Sequence, residues 1–106
     1  VFLIVTPGKA GKLDAFAQCI KDKKTVTFFG AFWCPHCQAE KARFGPSAKY
    51  LPYVECSTPD GNSQLPVCVE KKITGYPTWI FKDGSILTGE VPLVDLAEKT
   101  ACVLPK

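Results

Sequence analysis

Residues 25–44 join two different periodicities without a linker, and the joint carries two cysteines. Thr25-Val26-Thr27-Phe28-Phe29-Gly30-Ala31-Phe32 is β-branched and aromatic, alternating at first and then apolar. That is the pattern of a buried strand. Gln38 to Phe44 contains strong helix formers, and Pro46 must kink or end that helix. Between them stands Trp33-Cys34-Pro35-His36-Cys37. A strand that passes directly into a helix places Cys34 at the helix N-terminus, where unpaired N–H groups and the positive end of the dipole lie. A thiolate held there is stabilised and leaves well, which makes the disulfide form the more oxidising one. Cys37 lies one turn on, close enough to close a disulfide and better shielded. His36 is expected to add positive charge beside the Cys34 sulfur, and Pro35 to help fix the turn into the helix.

The rest of the chain alternates in the same way. Leu13, Phe16, Ala17 and Ile20 share one helix face. Residues 51–56 read as a strand, 57–62 as a loop, and 64–73 as a short amphipathic helix with Leu65, Val69 and Ile73 or Cys68 inward. Thr78-Trp79-Ile80-Phe81 and Ser85-Ile86-Leu87-Thr88 flank Lys82-Asp83-Gly84, a strong hairpin signal. Pro92 then stands at the start of a last helix whose apolar face includes Leu93, Leu96 and Ala97. Helices alternating with strands predict an α/β fold, and the closing hairpin makes its sheet mixed.

Composition narrows the function. The 106 residues are 46% hydrophobic and 22% charged, the balance of one globular domain. Net charge is +3 and the basic residues are scattered, so no nucleic-acid-binding stripe is expected. The one tight cluster, Lys21, Lys23 and Lys24, reads as a solvated helix end. His36 is the only histidine, which excludes a histidine-based hydrolase or a multi-histidine metal site. Six cysteines in so short a chain suggest an oxidising compartment: periplasm, lumen or cell exterior. The chain has no methionine, so it reads as processed or as a fragment of a longer protein. Residues 1–10 read equally as a first strand or as the remnant of a signal or membrane anchor, with 11–106 forming the domain.

Two plain readings compete for Cys34 and Cys37. One is a structural zinc site completed by Cys56 and Cys68, although those two are not a second close pair. The other is a purely structural disulfide, which so short a ring makes a poor source of stability.

Trp33-Cys34-Pro35-His36-Cys37 after a strand, with Tyr76-Pro77-Thr78 before another, resembles the thioredoxin fold. The resemblance implies helices on both faces of a central mixed sheet and a cis Pro77 facing the cysteine pair. It also implies that the backbone at Tyr76 pairs with bound peptide. More narrowly, Gly30 through Cys37, Phe44-Gly45, Tyr53-Val54-Glu55-Cys56, Gly75 through Ile80 and Leu96-Ala97-Glu98 are similar to the thioredoxin-like domain of bacterial and plant vitamin K epoxide reductase homologues. That implies an extracytoplasmic thiol–disulfide oxidoreductase with Cys34 and Cys37 as the redox pair and Trp33, Pro35, His36, Tyr76 and Pro77 in support. Its implied partners are a membrane vitamin K epoxide reductase-like protein or domain and secreted protein thiols. No metal, and no cofactor beyond the cysteine pair, is implied, and a monomer is expected. A reductase or isomerase is the alternative.

The same resemblance implies a second pair, Cys56 and Cys68, read as structural, with a redox relay as the other reading. Cys19 and Cys102 remain. They fall in the first and last helices, expected on opposite faces of the sheet, so their pairing stays open, with buried free thiols as the alternative. Thioredoxins that act as reductants carry a buried acid in the strand before the motif, where this chain has Phe28. Glu55 reads first as a solvated strand residue and second as a substitute for that acid. This departure, with Pro-His between the cysteines, leans towards an oxidant. Trp33 and Trp79 are candidates for a peptide-docking surface.

Overall fold

The structure is a computed structural model that describes residues 11–23 and 25–105; the readings made for residues 1–10 and for Lys24 lie outside the described residues. Its elements run α1 (Asp14–Asp22), β1 (Thr27–Gly30), α2 (Pro35–Phe44), a 3-10 turn (Gly45–Tyr50), β2 (Tyr53–Glu55), α3 (Pro66–Glu70), β3 (Thr78–Ile80), β4 (Ile86–Thr88) and α4 (Leu93–Thr100). The sheet order is β2-β1-β3-β4. β1 pairs parallel with β2 and antiparallel with β3, and β3 pairs antiparallel with β4. The sheet is therefore mixed, as the element order implies.

Side chains alternate across a strand, so each face of this sheet has its own core. Phe28 pairs with Tyr53 on one side and Trp79 on the other. Phe28 and Trp79 stack at 4.4 Å and pack with Phe16, Ala17 and Ile20 of α1, Phe44 of α2 and Leu96 of α4. The neighbouring residue, Phe29, packs on the opposite face with Cys56, Cys68 and Ile73, under α3. Helices thus flank both faces, but their distribution differs from expectation: α1 shares a face with α4. Phe16 stacks on Phe44, and Ser47 donates to Asp14 Oδ1 at 2.6 Å, so α1 is tied to the end of α2.

Two local readings are corrected. The helix expected over 64–73 is confined to Pro66–Glu70, and Val69 is 57% exposed instead of inward. Cys68 takes the inward position because it is bonded to Cys56, and Val69, one residue round the helix, must then face out. Trp79 is fully buried between Phe28 and Phe81, so it belongs to the core and not to a docking surface.

Candidate active site

β1 ends at Gly30 because the chain turns there. The Cys34 N–H bonds back to the Ala31 carbonyl at 3.0 Å. Cys34 is then the extended residue before α2 (φ −81°, ψ 122°), with Pro35 in the first helical turn. Proline suits that position, since its missing N–H would have had no helical partner. Cys34 and Cys37 are both free thiols. Both are buried, Cys37 at 1% exposure.

The loop before β3 meets this helix end. The Tyr76–Pro77 peptide is cis and Pro77 is buried. The Tyr76 carbonyl accepts a hydrogen bond from Cys34 Sγ at 3.6 Å. The Tyr76 ring lies edge-on to Trp33 at 5.8 Å, and its hydroxyl accepts from Gln64 Nε2 at 2.8 Å. The Trp33 indole N–H donates to Ser57 Oγ at 2.8 Å. Trp33 is nevertheless 46% exposed and Phe32 49%, so an apolar rim stands beside Cys34.

The two thiols are unequal. Burial pushes the Cys37 thiol up to about 12, reinforced by the Cys34 thiol and opposed by the Ala31 backbone and Lys41. Cys34 immediately precedes the first turn of α2, and its thiol donates to the Tyr76 carbonyl. One sulfur is set up to exchange with a partner and the other to remain shielded behind it, which is the geometry thiol–disulfide exchange requires.

The sequence matches the thioredoxin family over residues 9–100. The chain belongs to that family. It is also 48% identical, over 77 residues covering 68% of the chain, to thiol-disulfide oxidoreductase LTO1 of Arabidopsis thaliana. The chain spans about a fifth of that relative's length. It is thus a thioredoxin-family homologue of a thiol–disulfide oxidoreductase.

Within this thioredoxin-family site, His36 is bonded to a carboxylate on the segment before α4. Its side chain is largely exposed, and Nδ1 lies 2.8 Å from Glu90 Oε2. Arg43 Nη2 holds the other Glu90 oxygen at 2.9 Å. The His36 hydrogen bond, aided by Arg43, keeps the Glu90 carboxyl below the usual carboxylate range. The His36 ring is thereby tied to the Glu90 carboxylate, which Arg43 also holds.

The remaining cysteines form two disulfides, Cys56–Cys68 and Cys19–Cys102. With Cys56 and Cys68 bonded to each other, the zinc reading loses two of its four ligands. Cys19 and Cys102 meet because α1 lies on the α4 face, with their Cα atoms 5.9 Å apart. Glu55 is also placed differently from its first reading. It is half-buried and accepts hydrogen bonds from the Tyr53 hydroxyl and from the backbone N–H groups of Phe32 and Ser57.

Sequence reasoning missed Ser57, Gln64 and Glu90, which steady Trp33, Tyr76 and His36. Each reaches its partner across at least 12 residues, and none carries a local signal.

Proposed function

We propose that this chain is an extracytoplasmic oxidant of protein thiols, reoxidised by a membrane vitamin K epoxide reductase-like partner. The observation that carries the exchange chemistry is the pairing of Cys34, at the start of α2, with the Tyr76 carbonyl beside cis-Pro77, while Cys37 stays buried behind it. Two further disulfides support an oxidising compartment. The motif resemblance supports the membrane partner.

In this reading a substrate thiolate attacks Cys34 Sγ of the oxidised pair. The Cys34–Cys37 bond breaks and Cys37 leaves as a thiolate that takes up a proton. A second substrate thiolate then attacks the mixed disulfide, forms the substrate disulfide and releases Cys34 as a thiolate. Two electrons now reside on the cysteine pair and pass to the partner by the reverse sequence, in which Cys37 resolves the mixed disulfide. Trp33 and Phe32 offer the apolar rim against which an unfolded chain lies, and Tyr76 offers backbone for it to pair with. No cofactor beyond the two thiols is needed.

A glutathione titration read by alkylation and peptide mass spectrometry tests this. An oxidant gives a Cys34–Cys37 potential near the disulfide-donor end, about −120 mV; a value near about −270 mV makes the chain a reductant and removes the proposed direction. Cys34→Ser is expected to abolish exchange and Cys37→Ser to accumulate mixed disulfides. Undiminished turnover in both variants would remove the pair from catalysis.

A further inference from the structure

Cys37 is buried, yet it must lose a proton before it can attack a mixed disulfide. The strand beneath it supplies no acid, since Phe28 is apolar and fully buried. The groups that do face Cys37 are Cys34 and Lys41 on its own helix segment, Tyr76 from the loop before β3, and Tyr53 on β2.

Gly30 opens the way to the last of these. A methyl group at residue 30 would stand 2.9 Å from Cys37 Sγ, 2.9 Å from Tyr53 Cε1 and 3.3 Å from the Tyr53 hydroxyl oxygen. The space left by the missing side chain therefore has the buried thiol on one wall and the tyrosine hydroxyl on another. That hydroxyl donates to Glu55 Oε1 at 2.8 Å. Residues 53 and 55 fall on the same side of β2, as strand periodicity demands. The backbone N–H groups of Phe32 (3.1 Å) and Ser57 (3.0 Å) both hold Glu55 Oε2, leaving Oε1 to the tyrosine. Lys41 Nζ lies 3.7 Å from the centre of the Tyr53 ring.

We propose that Tyr53 and Glu55 form the proton path of Cys37, Tyr53 facing the thiol and Glu55 acting through the tyrosine hydroxyl. The Cys37 thiol gives its proton to the Tyr53 oxygen as Tyr53 passes its own to Glu55 Oε1. The result is a Cys37 thiolate, a neutral tyrosine and a protonated Glu55, which is half-buried and releases the proton to water. The thiolate then attacks Cys34, the Cys34–Cys37 bond forms, and the partner sulfur leaves with the electron pair. When Cys37 is instead the leaving group, the same path returns a proton to it. Burial and the Glu55 carboxylate hold the Tyr53 phenol well above its ordinary value, so it relays as a neutral hydroxyl. Lys41 faces the negative charge left on Cys37.

This inference rests on Cys37 as the resolving thiol, and the two fail separately. The full chain is charged with glutathione on Cys34, and glutathione release is followed from pH 5 to 9, beside the alkylation rates of Cys34 and Cys37. Tyr53→Phe keeps the ring between Phe28 and Lys41 and removes only the hydroxyl. It is expected to slow release at least about tenfold near neutral pH, with recovery at high pH and an unchanged Cys34 alkylation rate. Glu55→Gln is expected to shift the profile the same way. Release by Tyr53→Phe at the parent rate and with the parent pH profile overturns the proposal, and so does equal slowing of Cys34 alkylation. If Cys37→Ser still releases glutathione at the parent rate, the resolving role is lost. The Cys37 alkylation rate then decides the proton path: slowed in Tyr53→Phe supports it, unchanged overturns it.

Discussion

Glu40 occupies a core position of α2, in line with Cys37 and Phe44. It is fully buried, and its Oε1 accepts from the Val91 N–H at 2.6 Å, which ties α2 to the segment before α4. Among the described residues, its Oε2 and the nearby Trp79 indole N–H each lack a hydrogen-bond partner. Burial raises the Glu40 pKa above the ordinary carboxylate range, with the Val91 N–H and Arg43 opposing. Between the unfolded and folded values the folded state holds a proton that the unfolded chain has lost. Stability therefore falls as pH rises through that interval. Glu40→Gln is expected to remove this slope whatever it does to absolute stability. Urea melts from pH 4 to 8, parent against variant, check it; parallel curves would show that Glu40 titrates alike in both states. At this scale the sequence was a partial guide. The spacing of Cys34 and Cys37 at a strand-to-helix joint was readable, because that chemistry is local. Glu40 was not, because an acid among helix formers carries no mark of the Val91 amide that waits for it 51 residues away.

α3 is five residues long, too short to hold its shape by its own hydrogen bonds. The Cys56–Cys68 bond fastens it to the end of β2, beneath Phe29 and Ile73. Closing that loop is worth about 3 kcal/mol in the loop-entropy account. A Cys56→Ala/Cys68→Ala variant is expected to lose about 2–3 kcal/mol of unfolding free energy, with the α3 amides losing hydrogen-exchange protection first. Retained protection would mean that packing alone orders the element. The hairpin shows the opposite case, in which local chemistry sufficed. Gly84 takes φ 86° and Asp83 Oδ1 accepts from Ser85, so the turn read from Asp-Gly is built by those same residues. The end of α4 was not readable. Ala101 adopts the left-handed conformation (φ 62°) that sequence rules reserve for glycine or asparagine, and Cys102 follows it directly into a disulfide.

Cys19–Cys102 closes a loop of 83 residues, and so constrains nearly the whole unfolded chain. In entropy terms such a loop is worth about 4.5 kcal/mol. Cys19→Ser/Cys102→Ser is expected to lower unfolding free energy by about 2–4 kcal/mol without changing the Cys34–Cys37 potential, since the bond lies in the α1–α4 core and not beside the exchanging thiols. Denaturant unfolding and a glutathione titration of the same variant measure both; a shifted potential would tie this bond to the redox site. At the scale of the molecule, the sequence alone determined the alternation of helices and strands, the mixed sheet and the cysteine pair at a helix N-terminus. Those follow from periodicity and dipole chemistry within a few residues of each other. Only the tertiary structure decided that α1 and α4 share a face, that Trp79 is core, and that Tyr53 meets Cys37 beside Gly30 with Glu55 bonded to its hydroxyl. Each of these depends on which face of the sheet an element covers, and side chains distant in sequence meet only after that choice is made.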